Sequence, residues 1–263
     1  MKTYKIDWYL TAGKTYKLQD FQVLVIRKLG TNASSEVKIN IDGKYCGSII
    51  SKLAPLNKDT TNILPPLDLK DLYLVVPPSR EYIFEGPGTV RILGELIELD
   101  PGETMPADLI ARYNEQTNKY VTYVYSSVDL GTDTTWAAGS EITLFEKKLE
   151  SHEKMIFNNV IRIDQEQIGT DPGKVAIKLY RDDNPWHNRY ADSGEKGIDL
   201  KAFLIESGKL EYFTLEKEPL VLEPDHKLKF TAENISGSDI TPASGTSIKF
   251  YFYAVITYIK YIG

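Results

Sequence analysis

The densest group of chemically capable side chains lies in Arg181-Asp-Asp-Asn-Pro-Trp-His-Asn-Arg-Tyr190, and it continues through Asp192 and Glu195. A flat aromatic beside acids and amides could stack a sugar ring while the polar groups bind its hydroxyls. Trp186, His187 and Tyr190 are the residues for that task. Asp182, Asp183, Asn184 and Asp192 are hard oxygen donors of the kind calcium takes, but their spacing is not that of an EF-hand, and no metal is expected. The competing reading is structural: a surface loop whose Trp186 folds back as a local plug or packs on a neighbouring subunit. Trp186, His187, Tyr190, Asp182 and Asp183 are therefore the candidate ligand-binding residues.

Other motifs point away from chemistry. Cys46 is the only cysteine, so no intramolecular disulfide exists, and three spread histidines (His152, His187, His226) give no zinc-ligand spacing. Cys46 follows Tyr45 on a strand leaving a turn, where a small apolar thiol packs. Asp42-Gly43 reads as a tight turn and not as an acidic calcium loop. Asn32-Ala-Ser34 and Asn234-Ile-Ser236 match the glycosylation pattern, which a short motif does by chance. Glu85-Gly-Pro-Gly-Thr89 sits between strands and opens no helix, so it is read as a hairpin connection and not a phosphate cradle. No Gly-x-Ser-x-Gly elbow occurs, and 37 scattered acids single out no catalytic pair. The expectation is a protein without catalytic residues or cofactor.

The elements that carry these residues follow from composition and pattern. The chain has 263 residues, 42% hydrophobic and 26% charged, enough for substantial cores and unlike a disordered segment or a coiled coil. A net charge of −6 has the wrong sign for a chain that lives on phosphates or anionic lipid, so neither nucleic acid nor membrane is an expected partner. The longest apolar runs, such as Leu72-Tyr-Leu-Val-Val76, are strand-length. Met1 to Asp7 carries positive charge with no apolar segment behind it, so no signal peptide is expected and folding is placed in the cytosol. Period-2 and β-branched runs predict strands at 21–27, 36–41, 71–76, 81–84, 89–99, 120–125, 160–163, 174–180, 227–230 and 246–261. In Glu36 to Asp42, Val37, Ile39 and Ile41 share one face and Glu36, Lys38 and Asn40 the other. The final stretch is apolar on nearly both faces, as a central strand buried on two faces or a strand in a subunit contact would be. Helix is predicted only at 106–112 and 141–154, and the first of these could equally open a hairpin through Asn114 to Asn118 into the strand at 120–125.

The two halves repeat one order of blocks. Val23-Leu-Val-Ile-Arg27 and Glu36 to Ile41 match Asn159-Val-Ile-Arg-Ile163 and Lys174 to Leu179. Leu72 to Phe84 matches Pro219 to Phe230, and Thr89 to Ile97 matches Thr246 to Ile256. Thr3 to Asp7 and Ala12 to Lys17 match Thr122 to Tyr125 and Ala138 to Ile142. The Pro- and Gly-bearing segment Asp100 to Pro106 marks the join, giving domains 1–103 and 104–263. The fold class expected is all-β: two tandem antiparallel β-sandwich, jelly-roll-like domains related by internal duplication, the second with loop insertions at 181–197 and 234–245.

At the level of this duplicated β pattern, the whole chain resembles the tandem or double jelly-roll structural proteins of virions, the capsid, turret or spike components of tailless icosahedral viruses and phages. The resemblance implies a non-enzymatic protein in the virion, assembled in the host cytoplasm, whose partners are further copies of itself and other virion proteins. A homo-oligomer, a trimer or pentamer, is expected, one sandwich anchoring while loops of the other point outward. The alternative is a carbohydrate-binding adhesin or receptor-binding module that uses the 181–197 loop on a host-surface glycan. A third is a β-sandwich polysaccharide-degrading enzyme.

Overall fold

The computed structural model describes residues 1–57, 64–169, 171–186, 197–204, 213–214 and 219–261, with the backbone alone at 158–160 and 213–214. The chain is all-β and divides into two compact units, Met1–Tyr123 with Thr257–Gly263, and Val124–Ile256.

Nine strands build the first unit. They are β1 (Lys2–Thr11), β2 (Thr15–Lys17), β3 (Gln22–Thr31), β4 (Val37–Ile41), β5 (Lys44–Ile49), β6 (Leu67–Asp68), β7 (Leu74–Val76), β8 (Glu81–Glu85) and β9 (Thr89–Glu98). One sheet has the order β1-β9-β3-β6 with β7 also on β3; the other has the order β2-β8-β4-β5. The alternation in β4 does what its sequence demands: Val37, Ile39 and Ile41 are buried and Lys38 is exposed. Asp42 and Gly43, both at left-handed φ (53° and 71°), close the two-residue turn from β4 into β5. Cys46 lies buried in β5 with its Sγ 3.4 Å from the Lys44 carbonyl, and burial pushes the thiol up to about 11, so the nucleophilic thiolate is suppressed.

Strand β3 is apolar on both faces because it is covered on both. Val23 and Val25 form a second small core with Val75, Ile97 and Leu109, the last carried by the helix α1 (Ala107–Glu115). That helix ends in polar groups aimed at strand β7. The Arg112 guanidinium donates to the carbonyls of Leu72, Tyr73 and Lys119 at 2.8–3.2 Å. The wholly buried Gln116 side chain accepts from the Val75 N–H at 2.9 Å and donates to the Val75 C=O at 3.0 Å. These side chains occupy the edge of β7 that no strand pairs among the described residues. The helix and residues 104–123 thus complete the first unit, although the sequence pattern places the join before them.

The second unit holds the rest: β10 (Lys119–Thr132), β11 (Glu141–Lys148), β12 (Glu153–Glu166), β13 (Val175–Arg181), β14 (Asn184–Pro185), β15 (Ile198–Asp199), β16 (Phe213–Thr214), β17 (Leu220–Leu222), β18 (Lys227–Asn234) and β19 (Ser247–Lys260). The chain passes between the units within β10 and within β19. The sheets run β10-β19-β12-β16 with β17 on β12, and β11-β18-β13-β14 with β15 on β13. A cluster of rings knits them together. Phe145 and Phe230 of one sheet meet Phe252 of the other at 5.0 and 4.9 Å between centroids, with Phe157 at 6.1–6.2 Å. Both faces of β19 are buried from Phe252 to Ile256, as expected of a central strand.

The two units have one strand order. Replacing β1, β9, β3, β6 and β7 by β10, β19, β12, β16 and β17, and β2, β8, β4 and β5 by β11, β18, β13 and β14, converts the first description into the second, to which β15 on β13 is added. The six matched sequence blocks lie on these corresponding strands. Hydrogen bonds correspond as well. Leu18 N–H donates to the Arg80 carbonyl and Leu149 N–H to that of His226; Arg80 N–H donates to Pro77 and His226 N–H to Glu223.

Three expectations are corrected. Residues 141–154 are no helix: Glu141–Lys148 pairs antiparallel with β18 through a bulge between Thr143 and Phe145, burying Leu144 and Phe145. Glu85 to Thr89 is no hairpin, because β8 and β9 lie in different sheets and the segment crosses between them. The strand expected over 71–76 begins only at Leu74, after a 3-10 turn at Lys70–Leu72 that Lys70 enters at φ 50°.

Candidate functional site

The candidate loop opens on the β13–β14 hairpin. Its turn residues Asp182 and Asp183 both take left-handed φ (51° and 63°), a conformation aspartate tolerates better than most residues. Trp186 N–H donates to the Leu179 carbonyl at 2.7 Å, extending the hairpin, and the Arg181 guanidinium stands 5.4 Å from the half-buried indole. His187 and Tyr190, with Asp192 and Glu195, lie outside the described residues.

The two aspartates are committed elsewhere. Asp182 Oδ1 accepts from Lys227 N–H at 2.8 Å, its Oδ2 meets His226 Nδ1 at 2.6 Å, and its own N–H donates to the Lys227 carbonyl at 3.0 Å. Asp183 accepts from Lys227 Nζ at 2.8 Å, with Lys229 Nζ at 3.7 Å. The Lys227 N–H, then His226, holds the Asp182 carboxyl below its ordinary range, and the Lys227 ammonium does the same for Asp183. Among the described residues no group of three or more His, Cys, Asp or Glu is placed to hold a metal ion.

The first unit explains this arrangement. Asp42, at the corresponding turn, donates its N–H to the Glu81 carbonyl at 2.8 Å and receives Arg80 Nη1 on Oδ1 at 3.3 Å. In both units, then, an aspartate pins the turn to the first residue of the neighbouring strand and to the basic side chain before it. His226 and Lys227 are 44 and 45 residues from Asp182, so only the alignment of the two halves, Arg80 with His226, signals the tie in the sequence.

Acid should loosen this lock. The folded carboxyl of Asp182 titrates below the unfolded one, so the stabilisation is present above the unfolded pKa of about 4 and is lost as pH falls through the depressed folded value. Hydrogen exchange at the Lys227 amide is expected to accelerate in that window in the wild type. In Asp182→Ala, which leaves the Lys227 N–H without its acceptor, it should already be fast at neutral pH and should lose that acid step.

The buried asparagine of the second glycosylation pattern is structural. Asn234 Nδ2 donates to the carbonyls of Trp136 and Ser238, and its Oδ1 accepts from Ser236 N–H and Oγ, leaving no part of the amide to an external enzyme in the folded chain.

The sequence matches no family model and no curated protein. Among solved structures, the chain is similar at 12% identity to a chain of the PBCV-1 virus capsid quasi-atomic model, over 98% of this chain and 94% of that one, with a TM-score of 0.34. It is also similar at 12% identity to a chain of infectious bursal disease virus, Gx strain, over 98% and 80% of the two chains, with a TM-score of 0.20. The assignment to the all-β, two-sandwich class rests on the chain's own sheets.

Proposed function

We propose that this chain is a non-enzymatic structural protein of a virion, working by self-assembly and surface contact. The single observation that carries the reading is the repetition of one strand order, with its turn locks, in two successive jelly-roll-like sandwiches. Duplication of one ancestral sandwich within the gene accounts for that repetition, and a doubled sandwich is suited to covering a surface with copies of itself. Aspartates that would serve a ligand are instead spent on holding a turn. Light scattering and negative-stain electron microscopy of the purified chain test the proposal: closed, uniform assemblies are expected, and a chain that stays monomeric at every accessible concentration overturns it.

A second reading is favoured by the half-buried Trp186 held against Arg181 beside the loop: glycan recognition on a host surface. Wild-type binding on a glycan array that disappears in Trp186→Ala supports it, and an array without signal for the wild type removes it.

A further inference from the structure

Strand β1 is the outer member of its sheet, and its character is unusual for an edge. It pairs with β9 over all ten residues, Lys2↔Glu98 to Thr11↔Thr89, with no register shift. Edges are ordinarily blunted by brevity, bulges, proline, charged side chains or a covering element. Here there is no proline or bulge, the charges Lys2, Lys5 and Asp7 are of mixed sign, and Tyr4 and Tyr9 are among the exposed large side chains.

The direction of its free backbone groups can be worked out. The N–H and C=O of one residue in an antiparallel strand point the same way, and successive residues alternate. Ala12 N–H donates to the Gly88 carbonyl, continuing the even-numbered side toward β9. Thr11 turns the other way: its N–H donates to Tyr16 Oη at 2.9 Å, and its carbonyl accepts from the same hydroxyl at 3.3 Å. Thr3, Lys5, Asp7 and Tyr9 therefore direct their N–H and C=O outward, and no element among the described residues receives them. The Tyr16 hydroxyl closes this open ladder at one end.

We propose that the outward edge of β1 is a docking surface for β1 of a second copy of this chain, the two strands running antiparallel about a two-fold axis at Ile6. The inference rests on the self-assembly reading and supplies its contact. Only registers that oppose odd residues to odd residues form hydrogen bonds, and centring on Ile6 uses the whole strand. Thr3 then faces Tyr9 of the other copy, Lys5 faces Asp7, and Tyr4 faces Trp8 on the opposite side of the sheet. Slipping the centre to Lys5 or to Asp7 sets like charges directly opposite each other, which disfavours both neighbouring registers. The charges also extend rows already present. Arg91 holds Asp7 at 2.7–2.8 Å, and Lys5 pairs with Glu95, so the joined sheet reads Arg91, Asp7, Lys5, Glu95 with signs alternating across the two-fold. A second copy is the occupant because β1 carries its own complement.

Sedimentation of the Lys5→Asp and Asp7→Lys variants, each alone and then mixed, tests this. The Lys5 and Asp7 side chains are 83% and 47% exposed, so both variants are expected to fold, with far-UV circular dichroism as the check. An even-numbered wild-type assembly is expected, with self-association weakened roughly tenfold or more in each variant by two like-charge juxtapositions. Mixing should restore it in one-to-one hetero-pairs, since the two acidic positions of one variant then face the two basic positions of the other. Intrachain pairs with Glu95 and Arg91 cannot produce that rescue, because the lost one stays lost in each variant. Wild-type assemblies indifferent to both substitutions, or variants that weaken without rescue on mixing, overturn the edge contact while leaving self-assembly standing. A wild type that is always monomeric overturns both.

Discussion

Gly94→Ala is expected to destabilise the first unit by about 3 kcal/mol or more, the upper end for forcing an added methyl group into a packed interior. Gly94 sits at the middle of β9, opposite Ile6 on one side and Ile26 on the other, where β3 shifts register between Ile26 and Lys28. A Cβ there would fall 1.9 Å from the Val25 carbonyl oxygen, 3.0 Å from its carbon and 3.2 Å from Arg27 N. All three are backbone atoms of a strand paired on both sides, so no rotamer change relieves the overlap. The two central strands must part, and their ladder opens. Against this, alanine gains roughly 0.5–1 kcal/mol from a less flexible unfolded chain, too little to compensate. Trp8 is the one tryptophan of this unit, on β1 opposite Ile92, and its fluorescence reports the unfolding in urea. Gly102→Ala is the control, with nothing within 4 Å of its Cβ and only a positive φ of 85° to object. It should cost about 1 kcal/mol. A Gly94→Ala midpoint no lower than that of Gly102→Ala would mean that the spacing of β3 and β9 is not set by the missing side chain.

What was legible in the sequence was whatever a strand's own pattern encodes. Val37, Ile39 and Ile41 alternate because one face of β4 is wet, and the unbroken apolar run in β19 reflects a strand covered on both sides. The block order of the two halves was legible because it needs only local patterns in sequence. Local pattern misled at Glu141 to Lys154, where the expected helix is a strand over Glu141–Lys148 held by its pairing with β18, a partner distant in the chain. Partners distant in the chain were invisible. Asp182 and Asp183 were read as donors for a ligand because nothing near them in sequence shows that His226 and Lys227 arrive to take them. Gln116 and Arg112, polar residues at the end of a short helix, gave no sign that they face inward.

That inward placement makes Gln116 the second sensitive position. Gln116→Met keeps volume and flexibility while leaving the Val75 N–H and C=O without partners in a buried site, and each such group carries a penalty of roughly 1–3 kcal/mol. The expected loss is about 2–5 kcal/mol in the first unit. A site-resolved signature accompanies it. Val75 points its backbone groups at the helix, so the flanking Leu74 and Val76, which lie opposite Ile26 and Leu24, point theirs at β3. Hydrogen exchange in Gln116→Met should therefore accelerate first at the Val75 amide, with Leu74 and Val76 retaining protection until the strand itself opens. Gln116→Glu separates the two halves of the interaction: its carboxylate can still accept from Val75 N–H but presents an oxygen to the Val75 carbonyl, so protection at Val75 should persist while stability still falls. If Gln116→Met left Val75 protected, water or a neighbouring group would have to fill the edge, and the amide side chain would be packing there without acting as the missing strand.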